Sequence, residues 1–358
     1  MKPVYFTPGP SELYFTINDH LRNALQKGIP SISHRSQVFM DIYRDTTYTL
    51  KELLQLPDNY RILFLSSSHE IWERTIQNLV AEQSFHLING AFSRRFFDIA
   101  KSINKKTLHV TSEEGSCLDP GSISIPKSTE LISFTHDESS TGASQPLEDI
   151  YNTRVSHPEA LIAVDVASSL PFVNLDFSKI DTAYFSVQQC FGLPSGLAVW
   201  LVNDRCLQKH EDLLSTHKAV GTYHRLDNMI QYDEKNQTPE TPNILAIYLL
   251  GMVARDMLEK GIDMIRRETE YKAAVLYHGF EQHEKLSPFI EEKKYRSKTV
   301  IVAQGNNTNT FKDALSKVKM IVGDGYGPFI NNHIRIANFP THSKELVEML
   351  TDKLMLIH

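Results

Sequence analysis

The sequence predicts an α/β protein in which a large, mostly parallel sheet is covered by helices and followed by a small C-terminal α/β domain. Three observations carry this. From about Arg61 to Val202, short apolar runs alternate with segments of helical period, as in parallel sheets with helices on both faces. At 358 residues the chain exceeds the usual size of one hydrophobic core, so two domains are expected. After Val202 the texture changes to a Pro-containing loop, two long helical stretches and a second, shorter strand–helix alternation.

Element by element, Arg61–Ser66 reads as a strand and Glu70–Ala81 as a helix. Phe85–Ile88 is a second strand, with a helix after Ser93. Glu130–Thr135, Ala160–Val164 and Ala183–Val187 are further apolar, strand-like runs. Leu197–Val202 begins too soon after the last of these for a helical crossover, which predicts an antiparallel pair. The loop Asn236–Pro242 leads into an apolar helix from Asn243, and Asp263–Glu284 reads as a long charged helix joining two domains. From Ser297 to His358, strands at Thr299–Ala303 and Ile334–Ala337 alternate with two amphipathic helices. The large domain is expected over residues 15–260 and the small one over 261–358, with segment 1–14 packing against the latter.

Composition excludes several classes of function. A net charge of −6, with no basic run interleaved with aromatics, argues against nucleic acid. Three cysteines, without CxxC spacing, read as reduced thiols of a cytoplasmic protein rather than a disulfide framework. Cys190 reads as a buried, inert thiol. The N-terminus has no apolar signal core, and Ile244–Met257 is too short and too charged at Arg255 and Asp256 to span a bilayer. No metal-ligand spacing such as HExxH and no GxSxG elbow is present.

Several strand ends carry polar residues suited to a small anionic ligand. Ser66–His69 follows a strand and opens a helix, where backbone N–H groups and hydroxyls converge on the positive helix end, although serines there can equally be plain caps. Asp165 ends the run Leu161–Val164, and Glu138-Ser139-Ser140-Thr141-Gly142 is a hydroxyl-rich loop after another strand. Phe92 has the flat face to stack on a ring. His34, Arg35 and Arg335 are the cationic candidates for a substrate acid. Arg335 is the stronger, because a charge inside the apolar strand His333–Ala337 needs a partner such as a bidentate carboxylate. Gln188 and Gln189 close the buried run Ala183–Val187, just ahead of a Gly/Pro turn.

Taken in order, these pieces resemble the class V aminotransferases of pyridoxal phosphate (PLP) fold type I over nearly the whole chain. Phe6-Thr-Pro-Gly-Pro-Ser11 is similar to the family's N-terminal segment, and Ile32-Ser-His-Arg-Ser36 to the His-Arg element of its phosphoserine branch. Thr135-His-Asp-Glu-Ser-Ser-Thr-Gly142 with Gln145-Pro146 resembles the alanine–glyoxylate and serine–pyruvate branch. Val164-Asp-Val-Ala-Ser-Ser169 and Ser186-Val-Gln-Gln-Cys190 complete the set. The resemblance implies PLP as cofactor and amino transfer between a small amino acid and a 2-oxo acid. Asp165 would pair with the ring nitrogen, Phe92 would stack on the ring, and Ser139 would bond its hydroxyl. Ser68, His69 and Gln188 would hold the phosphate, with Thr241 reaching it from a neighbouring subunit of a homodimer. Arg335 would bind the substrate carboxylate, and His34 and Arg35 an anionic substrate side chain.

Two positions depart from the family. Its lysine, which anchors the cofactor covalently and moves the substrate's proton, falls on Gln189, whose amide does neither. Neither Lys179 nor Lys218 is placed by sequence to substitute. A second His-Arg pair of the phosphoserine branch is replaced by Gly325-Tyr-Gly-Pro-Phe329. Two expectations stand side by side: an aminotransferase, or a catalytically silent relative that binds PLP without a covalent link. A glutamine introduced in place of a natural lysine would leave the same sequence.

Overall fold

A computed structural model describes residues 2–216 and 220–357, so Lys218 lies outside the described residues. In chain order its elements begin with β1 (Val4–Phe6), α1 (Ile17–Gln26), α2 (Gln37–Leu54), β2 (Tyr60–Leu65), α3 (Ser68–Leu79), β3 (Gln83–Ile88), α4 (Ala91–Ser102) and β4 (Lys106–Thr111). The middle holds β5 (Leu131–Thr135), the two-residue arms β6 (Asp137–Glu138) and β7 (Ala143–Ser144), α5 (Leu147–Ser156), β8 (Leu161–Asp165), β9 (Thr182–Ser186) and β10 (Ala198–Asn203). Next are α6 (Asp204–Ser215), α7 (Leu226–Asp233), α8 (Ile244–Lys260) and α9 (Ile262–Gln282). The chain finishes with β11 (Ser287–Pro288), β12 (Val300–Gln304), α10 (Asn309–Lys317), β13 (Met320–Asp324), β14 (His333–Ala337) and α11 (Lys344–Met355).

The large sheet has the order β2-β10-β9-β8-β5-β3-β4 and is parallel except for β10, which runs antiparallel to both neighbours. The short link between β9 and β10 has that consequence, as the spacing predicts. The strands are apolar almost throughout because both faces are buried. Alternate residues serve opposite faces: Ile62, Phe64, Ile162, Val164 and Phe185 join one core with residues of α2 and α8. Leu63, Leu65, Leu161, Ala163 and Tyr184 join another with α3 and α4.

The smaller sheet has the order β1-β13-β14-β12-β11 and shares a core with α9, α10 and α11. Strand β1 pairs in parallel with β13, Val4 opposite Met320 and Phe6 opposite Val322, so the first residues of the chain are built into the sheet made by its last ones. The structure adds β1, β4, β6, β7, β11 and β13 to the strands read from sequence, and the helices α1, α2, α5, α6 and α7. Among the described residues no helix is long and apolar enough to cross a membrane.

Candidate functional site

All the parallel strands of the large sheet point their carboxyl ends the same way, and polar residues collect beyond those ends. There, a cavity of about 200 Å³ is lined by Ser68, His69, Phe92, Ser139, Asp165, Gln188, Gln189 and Arg335 together with residues not singled out by sequence. Eight of the eleven residues named from sequence thus meet in one place.

Asp165, the last residue of β8, is 5 % exposed. Its Oδ2 accepts from Trp72 Nε1 at 3.2 Å and its Oδ1 from the Ala167 backbone N–H at 2.9 Å. Burial pushes its carboxyl up to about 7, against those two hydrogen bonds, and the nearby Glu138 adds to the rise. Such a carboxylate favours a cationic partner. Ser68 opens α3, whose N-terminal cap is Ser67, and its hydroxyl lies 2.6 Å from that of Ser186 at the end of β9. His69 packs on Trp72, with ring centroids 4.3 Å apart, and burial and Arg95 lower its pKa, which keeps the ring neutral. The site therefore sets the positive end of a helix and two hydroxyls across from a buried carboxylate.

Phe92 is brought in by the start of α4, and Glu138 holds that start in place. The Glu138 carboxylate, fully buried, accepts from the backbone N–H groups of Phe92 and Ser93 and from the Ser93 and Ser140 hydroxyls. This satisfies N–H groups that a helix end leaves free. Gly90 permits the approach, since a Cβ there would lie 2.3 Å from Glu138 Cγ. On the other side, Arg335 reaches in from β14; its Nε donates to the Asp324 carbonyl at 2.6 Å and its Nη1 to the Ser139 carbonyl at 3.0 Å. The Tyr326 ring lies 5.4 Å from the guanidinium and 5.2 Å from the Phe92 ring, and so supplies an aromatic wall.

Gln189 is 8 % exposed, and its Nε2 donates to the Pro8 carbonyl at 3.0 Å, while the Ser11 N–H donates to the Gln188 carbonyl at 3.2 Å. The amide thus fastens the N-terminal segment over one side of the cavity. Among the described residues no lysine lines it. The buried Lys272 gives its ammonium to the carbonyls of Phe339 and His342, and burial brings its pKa down to about 7. These residues fit the non-covalent contacts of PLP, with a carboxylate at one end and hydroxyls at a helix start at the other. They do not provide its covalent anchor.

Three residues named from sequence lie elsewhere within the chain. Arg35 is spent on the loop after α7, donating to Gln237 Oε1, the Thr238 carbonyl and the Pro239 carbonyl, with its guanidinium over the Tyr232 ring. Thr241 Oγ1 and His34 Nδ1 are 3.4 Å apart on exposed surface. Sequence reasoning also missed Trp72, Ser186, Asp137 and Tyr326. Trp72 had a signal, since it follows Ser68 by four residues and shares its helix face. Tyr326 had a signal only as part of the departing stretch Gly325–Phe329, and its contacts depend on how the smaller sheet meets the larger.

The family model for class-V aminotransferases matches residues 7–327. A curated phosphoserine aminotransferase of Rhodococcus opacus is 26 % identical over 97 % of this chain and 92 % of its own length. The crystal structure of a phosphoserine aminotransferase from Cytophaga hutchinsonii superposes with a TM-score of 0.97 and 46 % identity, covering 98 % of each chain. A ureidoglycine–glyoxylate aminotransferase from Bacillus subtilis shares the fold at TM-score 0.84 and 22 % identity, over all of this chain and 93 % of that one. With the matched model spanning most of the sequence and the strand-end site in place, the chain belongs to the class-V aminotransferases, a family of PLP-dependent transaminases of fold type I.

Proposed function

We propose that the cavity holds PLP or its amine form without a covalent link, and that a small amino acid of serine, phosphoserine or alanine type exchanges its amino group with a 2-oxo acid there. The observation that carries this is the buried Asp165 carboxylate sharing one cavity with the Arg335 guanidinium and the start of α3. When bound, the cofactor supplies an electron sink for charge left on the substrate's α-carbon. Asp165 holds a proton at the ring nitrogen, Phe92 covers the ring face and Ser139 meets the ring hydroxyl. Ser68, His69 and Gln188 hold the phosphate, and Thr241 approaches it from the second subunit of a homodimer. Arg335 orients the substrate by its carboxylate, as planar guanidinium groups do well. The 46 % identical phosphoserine aminotransferase favours phosphoserine, whereas the Tyr326 ring beside Arg335 adds no cation for a substrate phosphate.

A second reading, a silent PLP-binding protein, is favoured by Gln189, which stands in the place of the family's lysine with its amide engaged by Pro8. An absorbance titration with PLP, then with candidate amino acids, separates the two on the native protein and on Gln189→Lys. The lysine variant is expected to gain the absorbance of covalently held cofactor near neutral pH, and amino transfer about 10²–10⁴-fold faster than native protein. Equal behaviour of both proteins would mean that another group takes the lysine's part. Cofactor binding with no amino transfer by the native protein supports the silent reading, and failure to bind PLP removes both.

A further inference from the structure

Beside the cavity, the first turn of α3 carries a half-buried ion cluster that the contacts described so far leave unused. Glu70 closes this turn: its Oε2 accepts from the Ser66 N–H at 2.9 Å and the Ser66 hydroxyl at 2.6 Å. Its Oε1 lies 2.5 Å from Nδ1 of His224, a residue 3 % exposed. The other ring nitrogen, Nε2, is 2.9 Å from Glu240 Oε2, a charge contact rather than an aligned hydrogen bond. Glu240 immediately precedes Thr241. The His224 ring also stacks on Tyr223 at 4.0 Å, and its backbone takes φ of 48°, a left-handed conformation that non-glycine residues adopt only when their surroundings hold them there.

An imidazole that faces a carboxylate from each nitrogen is protonated on both. Burial works against that charge, but Glu240 and Glu70 outweigh it and hold the pKa up at about 9. Other charged groups nearby are committed elsewhere. Arg74 donates to the Tyr223 carbonyl and pairs with Glu73, and Arg225 pairs with Asp227. Without the imidazolium, two carboxylates would confront each other next to the turn that opens α3, where an incoming dianion would be a third anionic group.

We propose that His224 is a positioning residue for the phosphate end of the cofactor, cancelling the charge of Glu70 at the α3 turn and tying to that turn the loop whose Thr241 serves the second subunit's cofactor. This rests on the reading that the start of α3 holds the phosphate. The test compares pyridoxine phosphate with pyridoxine, which share the ring and lack a reactive aldehyde, bound to the whole protein from pH 7 to 10. Native protein is expected to lose about tenfold of its preference for the phosphorylated compound between pH 8 and 10, as the ring gives up its proton. His224→Gln is expected to show that weaker preference, about tenfold down, at every pH, with pyridoxine affinity unchanged. A native preference that stays flat through pH 10 overturns the inference, as does a His224→Gln protein that keeps the native preference. If that variant does not fold, the native pH series decides alone. Native protein that binds neither compound removes the cofactor reading, and this inference with it.

Discussion

At the scale of the residue, Asp165 and Gln189 show opposite ways of living with burial. Asp165 is a carboxyl whose folded pKa, about 7, exceeds its ordinary value of 3.8. Such a group keeps its proton longer in the folded state, so its contribution to stability is greatest in acid and declines as pH climbs from about 4 to about 7. Replacing it with asparagine should remove that decline. In cofactor-free protein, Asp165→Asn is expected to unfold later than native protein at pH 7, by at most about 4 kcal/mol, and to converge with it near pH 4. Denaturant titrations at several pH values would measure this, and a gap independent of pH would contradict it. Gln189 is uncharged and its amide donor is satisfied by Pro8. Gln189→Ala leaves that carbonyl without its partner, which costs about 1–3 kcal/mol and should speed hydrogen exchange in segment 7–12.

At the scale of the element, the sequence was most readable where a strand is buried on both faces. Strands β5, β8 and β9 are buried throughout, and Asp165 ends β8 while the Gln188-Gln189 pair lies just past β9, so the strand ends were legible from pattern and their site roles from the family resemblance. Strand β4 escaped because it lies at the sheet edge, half exposed, with Lys106 at its start. Strand β13 ends in Gly323-Asp324, and three-residue β1 has meaning only beside it. Glu138 was legible as part of a loop but not as a helix cap, because its partners Phe92 and Ser93 come from far earlier in the chain. That cap predicts its own outcome. Glu138→Ala strands several buried donors and should destabilise the fold by about 3 kcal/mol, loosening the first turn of α4 and with it Phe92. Chemical denaturation measures the loss, and a change under about 0.5 kcal/mol would show that water replaces the carboxylate.

At the scale of the molecule, the two sheets are joined by a few buried polar contacts. Asp137 sits at the seam, its Oδ2 accepting from the hydroxyls of Ser297 at 2.8 Å and Thr299 at 2.7 Å, just ahead of β12. Arg335 crosses the same seam to the Ser139 carbonyl. Asp137→Ala should therefore cost about 2–4 kcal/mol and separate the unfolding of the two sheets, visible as non-coincident transitions by fluorescence and circular dichroism. A single, unshifted transition would show that apolar packing alone joins them. The proposed homodimer is checked by sedimentation, with a mass twice that of the chain expected.

Strand β1 also sets an order of events. Its pairing partner, β13, is synthesised more than three hundred residues after it. While the chain is being made, residues 4–6 have no sheet to join. The large sheet, from β2 to β10, is complete in the emerging chain well before then. The strand just ahead of that cavity wall is thus the last to be paired, and a chain cut short before Met320 would leave residues 4–6 unpaired, with Pro8 held only from the side of Gln189.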